Sequence, residues 1–308
     1  MRRIHLWILV LLHSAVCQAE VPAVSWATDG SRTVNVVVTI PVLKDLTEQI
    51  GGTHVRVTSL LNGYENEHTY SPKPSDLIAV RNARVLFEIG IGLEVWVSSL
   101  VRNAGSPALT VITTSRGIAL IGEGHRHDGQ SDSHDQVYGN PHVWLDPENA
   151  VTIMRHITDA LAEIDPIHAP NYRINQAAYL RRLDDAQKEL QGRIDGLKER
   201  RFVAHHPAWP YFARRFGFQV AGTIQLQSSS EPSARHLQSL ISMMKKDKIR
   251  VVVSEIQLNQ KLPELLAKET GARVVVLTTL PGGLPRTETY LDMLRYNVLQ
   301  LANALGPS

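Results

Sequence analysis

The stretch VNVVVTIPVLKDLTEQIGGTHVRVTSLL, residues 34–61, sets the reading of the rest of the chain. Val34 to Ile40 is a β-branched run with few polar residues, as expected of a strand buried on both faces. Pro41 follows where the first turn of a helix tolerates it. Apolar groups at helical spacing continue to Ile50, and Gly51-Gly52 stops the helix. Val55 to Leu61 is then a second strand.

Working outward, the same alternation recurs. Ser75 to Asn82 reads as a helix and Val85 to Ile89 as a strand. Gly90 and Gly92 lead into a helix from about Leu93 to Arg102, and Leu109 to Thr113 closes this half. Repeated strand and helix order implies a parallel sheet covered on both faces. Gly122 to Gly139 carries Gly, Ser, Asp and His with hardly an apolar residue, the composition of a solvated loop. Asn149 to Ile164 is an amphipathic helix. From Pro166 to Lys198, apolar residues such as Tyr172, Leu183, Ala186, Leu190 and Ile194 recur at three and four, predicting one long helix.

Beyond it the alternation restarts. Strands are predicted at Arg201 to Ala204, Gln219 to Gly222, Val251 to Ser254 and Arg273 to Leu277. Helices are predicted at Trp209 to Phe216, Ser233 to Lys246, Leu262 to Thr270 and Thr289 to Ala304. The expected fold is α/β: an N-terminal lobe over residues 20–165, a long rigid helix over 166–199 and a C-terminal lobe over 200–308. Both sheets are parallel in type, and ligands of such sheets bind in the crevice at the strand carboxyl ends.

The N-terminus carries an address. Met1-Arg2-Arg3 is a basic start, Ile4 to Val16 is an apolar run short for a bilayer, and Cys17-Gln18-Ala19 offers a cleavage site before Glu20. Residues 1–19 are therefore expected to be a cleaved secretory signal that sends the chain to the periplasm. Acylation of Cys17 is the alternative, weakened by Val16 where a small residue is expected. Cleavage would remove Arg2 and Arg3, taking the formal charge from +2 to zero, and would remove the single cysteine. The mature chain then has no disulfide and no thiolate ligand. A neutral balance gives no case for nucleic acid. With 43% hydrophobic residues, core burial can hold the fold.

Histidines number 13 and fall in distinctive settings. Glu67-His68, Asn140-Pro141-His142 and His205-His206 are separate, while His125, His127 and His134 share the polar loop. His68 and His206 follow predicted strands, which puts both at strand carboxyl ends facing the crevice. Imidazole is the commonest protein ligand for zinc and similar metals. A metal site between the lobes is the reading this distribution supports. His205 is expected to face away from His206, because successive strand side chains alternate. Glu255 ends a strand facing the same crevice, either steadying an imidazole or making a structural bond. Trp209 and Tyr211 either wall the site or belong to the core.

Several segments also resemble a known family. Glu67-His68-Thr69-Tyr70-Ser71-Pro72-Lys73-Pro74-Ser75-Asp76 is similar to the first metal-ligand segment of the periplasmic zinc- and manganese-binding proteins of ABC transporters. Gly90-Ile91-Gly92-Leu93-Glu94-Val95-Trp96 resembles their glycine turn. Asn140-Pro141-His142-Val143-Trp144-Leu145-Asp146-Pro147 resembles their second ligand segment, and His206-Pro207-Ala208-Trp209-Pro210-Tyr211-Phe212 their third. Residues 290–298 look like their C-terminal helix. The resemblance covers nearly all of the mature chain with the motifs in order, and identifies it as a cluster A-I solute-binding protein.

It implies a monomer that binds one metal in the cleft and delivers it to a membrane permease. His68, His142 and His206 carry over as ligands, and three imidazoles favour Zn²⁺ over Mn²⁺. Many relatives add an aspartate from the loop after the last strand, but residues 277–283 here contain no carboxylate. Glu67 or a water is then the fourth ligand. The loop histidines His125, His127 and His134 either gather metal or are incidental to a solvated insert.

Rival classes have less support. A zinc hydrolase often carries His-Glu-x-x-His, and that motif is absent, as are Gly-x-Ser-x-Gly and a phosphate loop. Glu67 beside an open zinc is the one feature in favour of an enzyme. A manganese protein or adhesin of the same fold is the other alternative.

Overall fold

The computed structural model describes residues 33–122, 139–226 and 231–306; the expected signal segment and His125, His127 and His134 lie outside them. Strand β1 (Val34–Val38) pairs in parallel with β2 (Val55–Ser59) on one side and β3 (Val85–Glu88) on the other. β4 (Thr110–Thr113) adds to β3. The second sheet contains β5 (Arg201–Ala204), β6 (Gln219–Thr223), β7 (Val251–Glu255) and β8 (Arg273–Leu277), again all parallel. The orders are β2-β1-β3-β4 and β6-β5-β7-β8, the same topology twice. In each sheet the strand order reverses beside its first strand, which opens a crevice at the carboxyl ends.

Helices α1 (Pro41–Gly51), α2 (Pro74–Asn82), α3 (Val97–Ala104) and α4 (Pro147–Ile164) accompany the first sheet. α5 (Ala169–Ile194) follows. α6 (Pro210–Phe216), α7 (Ala234–Asp247), α8 (Lys261–Thr270) and α9 (Tyr290–Leu305) belong to the second half. The 26 residues of α5 give a rod about 39 Å long, packed on α1 and α4 from one lobe and α9 from the other.

Two helices start later than periodicity predicts. α3 begins at Val97 because residues 90–92 form a turn with φ of 82°, 58° and 74°. Glu94 folds back to hold that turn, its carboxylate accepting from Ile89 N and Gly90 N, both at 2.9 Å, and from Thr39 Oγ1 at 2.7 Å. α5 begins at Ala169 because Asp165 closes α4 and anchors the intervening turn. Its Oδ2 accepts from Tyr172 Oη at 2.6 Å and lies 2.7 Å from His168 Nδ1.

Burial welds the halves together. One apolar cluster includes Val36 of β1, Leu43 of α1, Leu183 of α5, Phe202 of β5 and Leu301 of α9. A smaller one, with Val203, Leu240, Met244 and Val252, covers the other face of the second sheet. Phe202 and Val203 fall in different clusters because strand side chains alternate, which is why β5 reads as continuously apolar. Polar contacts register the join. Asp45 Oδ2 of α1 accepts from Tyr290 N at the start of α9, at 2.8 Å. Gln257 Nε2 donates to Gly63 O at 2.7 Å. Gly63 has φ +94, and a Cβ there would sit 2.4 Å from Pro281 O, so only glycine allows the loops after β2 and β8 to meet.

Burial raises the Glu94 carboxyl to about 7 despite its three donors. The folded state therefore holds a proton that the unfolded chain releases near its ordinary value of 4.5. Stability should fall by about 3 kcal/mol as pH rises from that value to about 7, and level off above it. In urea titrations across that range, Glu94→Gln is expected to start less stable, because its amide faces a backbone donor, and to lack this pH-dependent fall.

Candidate metal centre

Three loops deliver three imidazoles to one point. His68 lies between β2 and α2, His142 precedes a short 3-10 turn at Val143–Leu145, and His206 follows β5. His142 Nε2 stands 3.1 Å from His68 Nε2 and 3.3 Å from His206 Nε2. Among the described residues these three are the cluster whose donor atoms all lie within 4.8 Å of one another. Tetrahedral zinc with bonds of roughly 2.0–2.1 Å would separate its nitrogen ligands by about 3.3–3.4 Å. The observed spacing is that of a coordination sphere.

Two of the rings, His142 and His206, are steadied from behind. His142 Nδ1 lies 3.0 Å from Asn140 Oδ1; a carbonyl oxygen can only accept, so the proton sits on Nδ1 and the Nε2 lone pair faces the cluster. Asn140 Nδ2 in turn donates to Pro207 O at 2.5 Å, joining the second and third segments. His206 Nδ1 lies 3.1 Å from Glu255 Oε1 at the end of β7. Trp209 Nε1 donates to the same oxygen. The backbone of His68 donates to Asn66 Oδ1 at 2.9 Å. Tyr211 Oη donates to Asn140 O at 2.9 Å. Glu255 thus steadies an imidazole, and Trp209 and Tyr211 are buried residues that brace the loops.

His205 is buried outside the cluster, its Nδ1 3.1 Å from Ser254 Oγ. Glu67 is also buried, with Oε1 3.8 Å from His142 Nε2. Trp96 Nε1 donates to its backbone carbonyl at 3.2 Å. Thr279 Oγ1 donates to Glu67 Oε1 at 3.3 Å. Residues 277–283 contain no carboxylate. The hydroxyl of that loop instead holds the carboxylate of another. Asn297 of α9 pins the loop by accepting from Thr278 N at 3.2 Å and donating to Thr278 O at 2.8 Å. Trp144 Nε1 donates to Thr279 O at 2.7 Å. No local signal marks Thr279, because its partner is 212 positions away.

Electrostatics suit a cation. Burial, and then the neighbouring His206, lowers His68 to about 4. His142 is driven well below its ordinary value by burial and by both other rings. These two are neutral donors at neutral pH. His206 goes the other way: burial lowers it, but Glu255 and Glu67 together raise it above 6.5. Burial also raises Glu67, against the pull of His206 and Thr279. Two buried carboxylates beside three imidazoles make a dry, electronegative pocket whose charge a divalent ion would balance.

The family model described as zinc-uptake complex component A, periplasmic (ZnuA), matches residues 36–304. The chain belongs to this family. A putative metal-binding protein of Treponema pallidum is 29% identical over 300 residues, covering 96% of this chain and 93% of its own length. The zinc-binding lipoprotein AdcA of Streptococcus pneumoniae is 26% identical over 94% of this chain but only 60% of its own length. The chain therefore spans little more than half of that relative. A crystal structure of ZnuA superposes with a TM-score of 0.78 at 31% identity, covering 89% of this chain and all of that one. A manganese-bound periplasmic metal-binding protein from Candidatus Liberibacter asiaticus gives 0.75 at 26%, covering 88% and 99%. The resemblance read from the motifs and the two-lobed parallel fold are both borne out.

Of the three rings, His206 is the one whose surroundings favour a proton, which a metal bound there would have to displace. Zinc affinity, measured by chelator competition, should fall as pH drops below the raised His206 value, by about tenfold per unit. Glu255→Gln removes the charge that raises His206. It should shift that fall to lower pH while weakening binding at neutral pH by roughly 10–100-fold.

Proposed function

We propose that this ZnuA-family chain captures Zn²⁺ outside the cytoplasmic membrane and hands it to an ABC permease, acting as a monomer. His68, His142, His206 and Glu67 are the proposed ligands. The convergence of three Nε2 atoms at coordination distance, drawn from both lobes, carries this reading. Three imidazoles favour zinc, whereas manganese prefers a larger share of oxygen. Glu67 supplies the fourth ligand through a small rotation from its Thr279 bond, closing the tetrahedron against water. A closed site suits carriage rather than hydrolysis, which needs an open position for a metal-bound water.

Among the described residues no helix is long and apolar enough to cross a membrane. Partner recognition would therefore come from the surface of the lobes. The core shared by both halves argues for release by a modest opening of the cleft rather than a wide hinge.

Isothermal titration of the apo chain should give one high-affinity zinc site and much weaker manganese binding. Alanine at His68, His142 or His206 should each weaken zinc by more than the roughly 10–100-fold typical of losing an outer partner. Glu67→Ala should cost about as much as a histidine; an unchanged affinity would instead assign the fourth position to water. In cells starved of zinc, the wild-type gene should restore growth only where the permease is intact, and His142→Ala should not.

A further inference from the structure

The second lobe carries a cavity at the opposite end of its sheet from the imidazoles. It has a volume of about 520 Å³ and lies at the amino ends of β5, β7 and β8, where Arg201, Val251 and Arg273 begin. That size falls in the range of small-molecule pockets, roughly 300–1,000 Å³. Leu197, Val251 and Leu305 contribute apolar surface, from the residues after α5, from β7 and from the end of α9.

The rim is charged, and unequally so. Five cations line the cavity against two carboxylates. Of the carboxylates, Glu199 is engaged by Arg201, with Oε2 2.6 Å from Nη2 and Oε1 2.9 Å from Nε, which leaves Asp247. The side chains of Lys198, Lys248, Arg250 and Arg273 form no hydrogen bond or ion pair with another described residue. Arg250 and Arg273 both line the cavity where β7 and β8 begin, with Arg273 N donating to Arg250 O at 2.9 Å and Arg273 in register with Val251. All four are exposed, and their combined field around an apolar hollow favours an anion whose body covers the hollow.

We infer that this cavity is a second ligand site, for a small amphipathic anion: an apolar body bearing one carboxylate, sulfonate or phosphate. Its head would sit between the Arg250 and Arg273 guanidiniums and its body against Val251 and Leu305. The site is separate from the metal centre, yet β7 joins them. Val251 lines the cavity, and Glu255, four residues and roughly 13 Å further along the strand, reaches His206.

The test titrates the full chain with anilinonaphthalene sulfonate and follows its fluorescence. One saturable site per chain is expected, displaced by decanoate but neither by decanol nor by inorganic phosphate. The double variant Arg250→Glu/Arg273→Glu should weaken the dye by at least about tenfold, with the thermal melt and the zinc titration unchanged. Should that variant fail to fold, Arg250→Gln and Arg273→Gln singly should each give a graded loss. Dye binding that survives these substitutions, or equal displacement by decanol, or displacement by phosphate alone, overturns the proposal.

Discussion

Three imidazole nitrogens held within about a coordination sphere tolerate little error, and they come from loops on two different sheets. Everything else in the molecule answers to that tolerance. If the sheets moved independently, the His142–His206 spacing of 3.3 Å could not be a property of the resting protein. The constraint is met by an apolar core that passes through both halves, with α5 and α9 laid across the join. Close-packed interiors transmit position rather than absorb it. The metal centre therefore inherits its geometry from packing that lies well outside it.

Polar bonds then refine what packing sets. Asn140 ties the His142 loop to Pro207, Trp209 and Glu255 fix the His206 ring, and Trp144 and Asn297 hold the Thr279 loop against Glu67. Most of these bonds join segments more than 40 positions apart, and those of Trp209, Trp144 and Asn297 are buried. A buried network favours a single arrangement, and removing one partner exposes an uncompensated polar or charged group. Glu67 and Glu255 sit at 3% and 1% exposure, so the cluster gathers negative charge where water cannot screen it. That cost is recovered when a divalent cation enters.

Duplicated topology supports this arrangement. Both sheets run in the same order, so both present carboxyl-end loops to a common crevice. The amino ends face away, and in the second lobe they collect unpaired cations around an apolar hollow. The two ends of β7 thus carry opposite charge preferences, a cation-seeking carboxylate at Glu255 and an anion-seeking guanidinium beside Val251.

Much of this was legible in residue order. Periodicity located the strands to within a residue or two; in β1, β3, β5 and β7 burial on both faces leaves a near-continuous apolar run, while the partly exposed β2, β4 and β6 stood out by their place between helices. His68, His142 and His206 stood out through their setting at strand ends and their motifs. Other features needed the folded chain. The start of α3 depends on Glu94 bending back to three donors, and the role of Thr279 depends on a partner in the other lobe. The sequence by itself determined the elements, the fold class and the candidate imidazoles, since those follow from local pattern and residue chemistry. Tertiary structure alone decided which ring nitrogens converge, which groups back His142 and His206, and where unpaired charge collects. Such relations are set by packing between segments that the chain order does not place side by side.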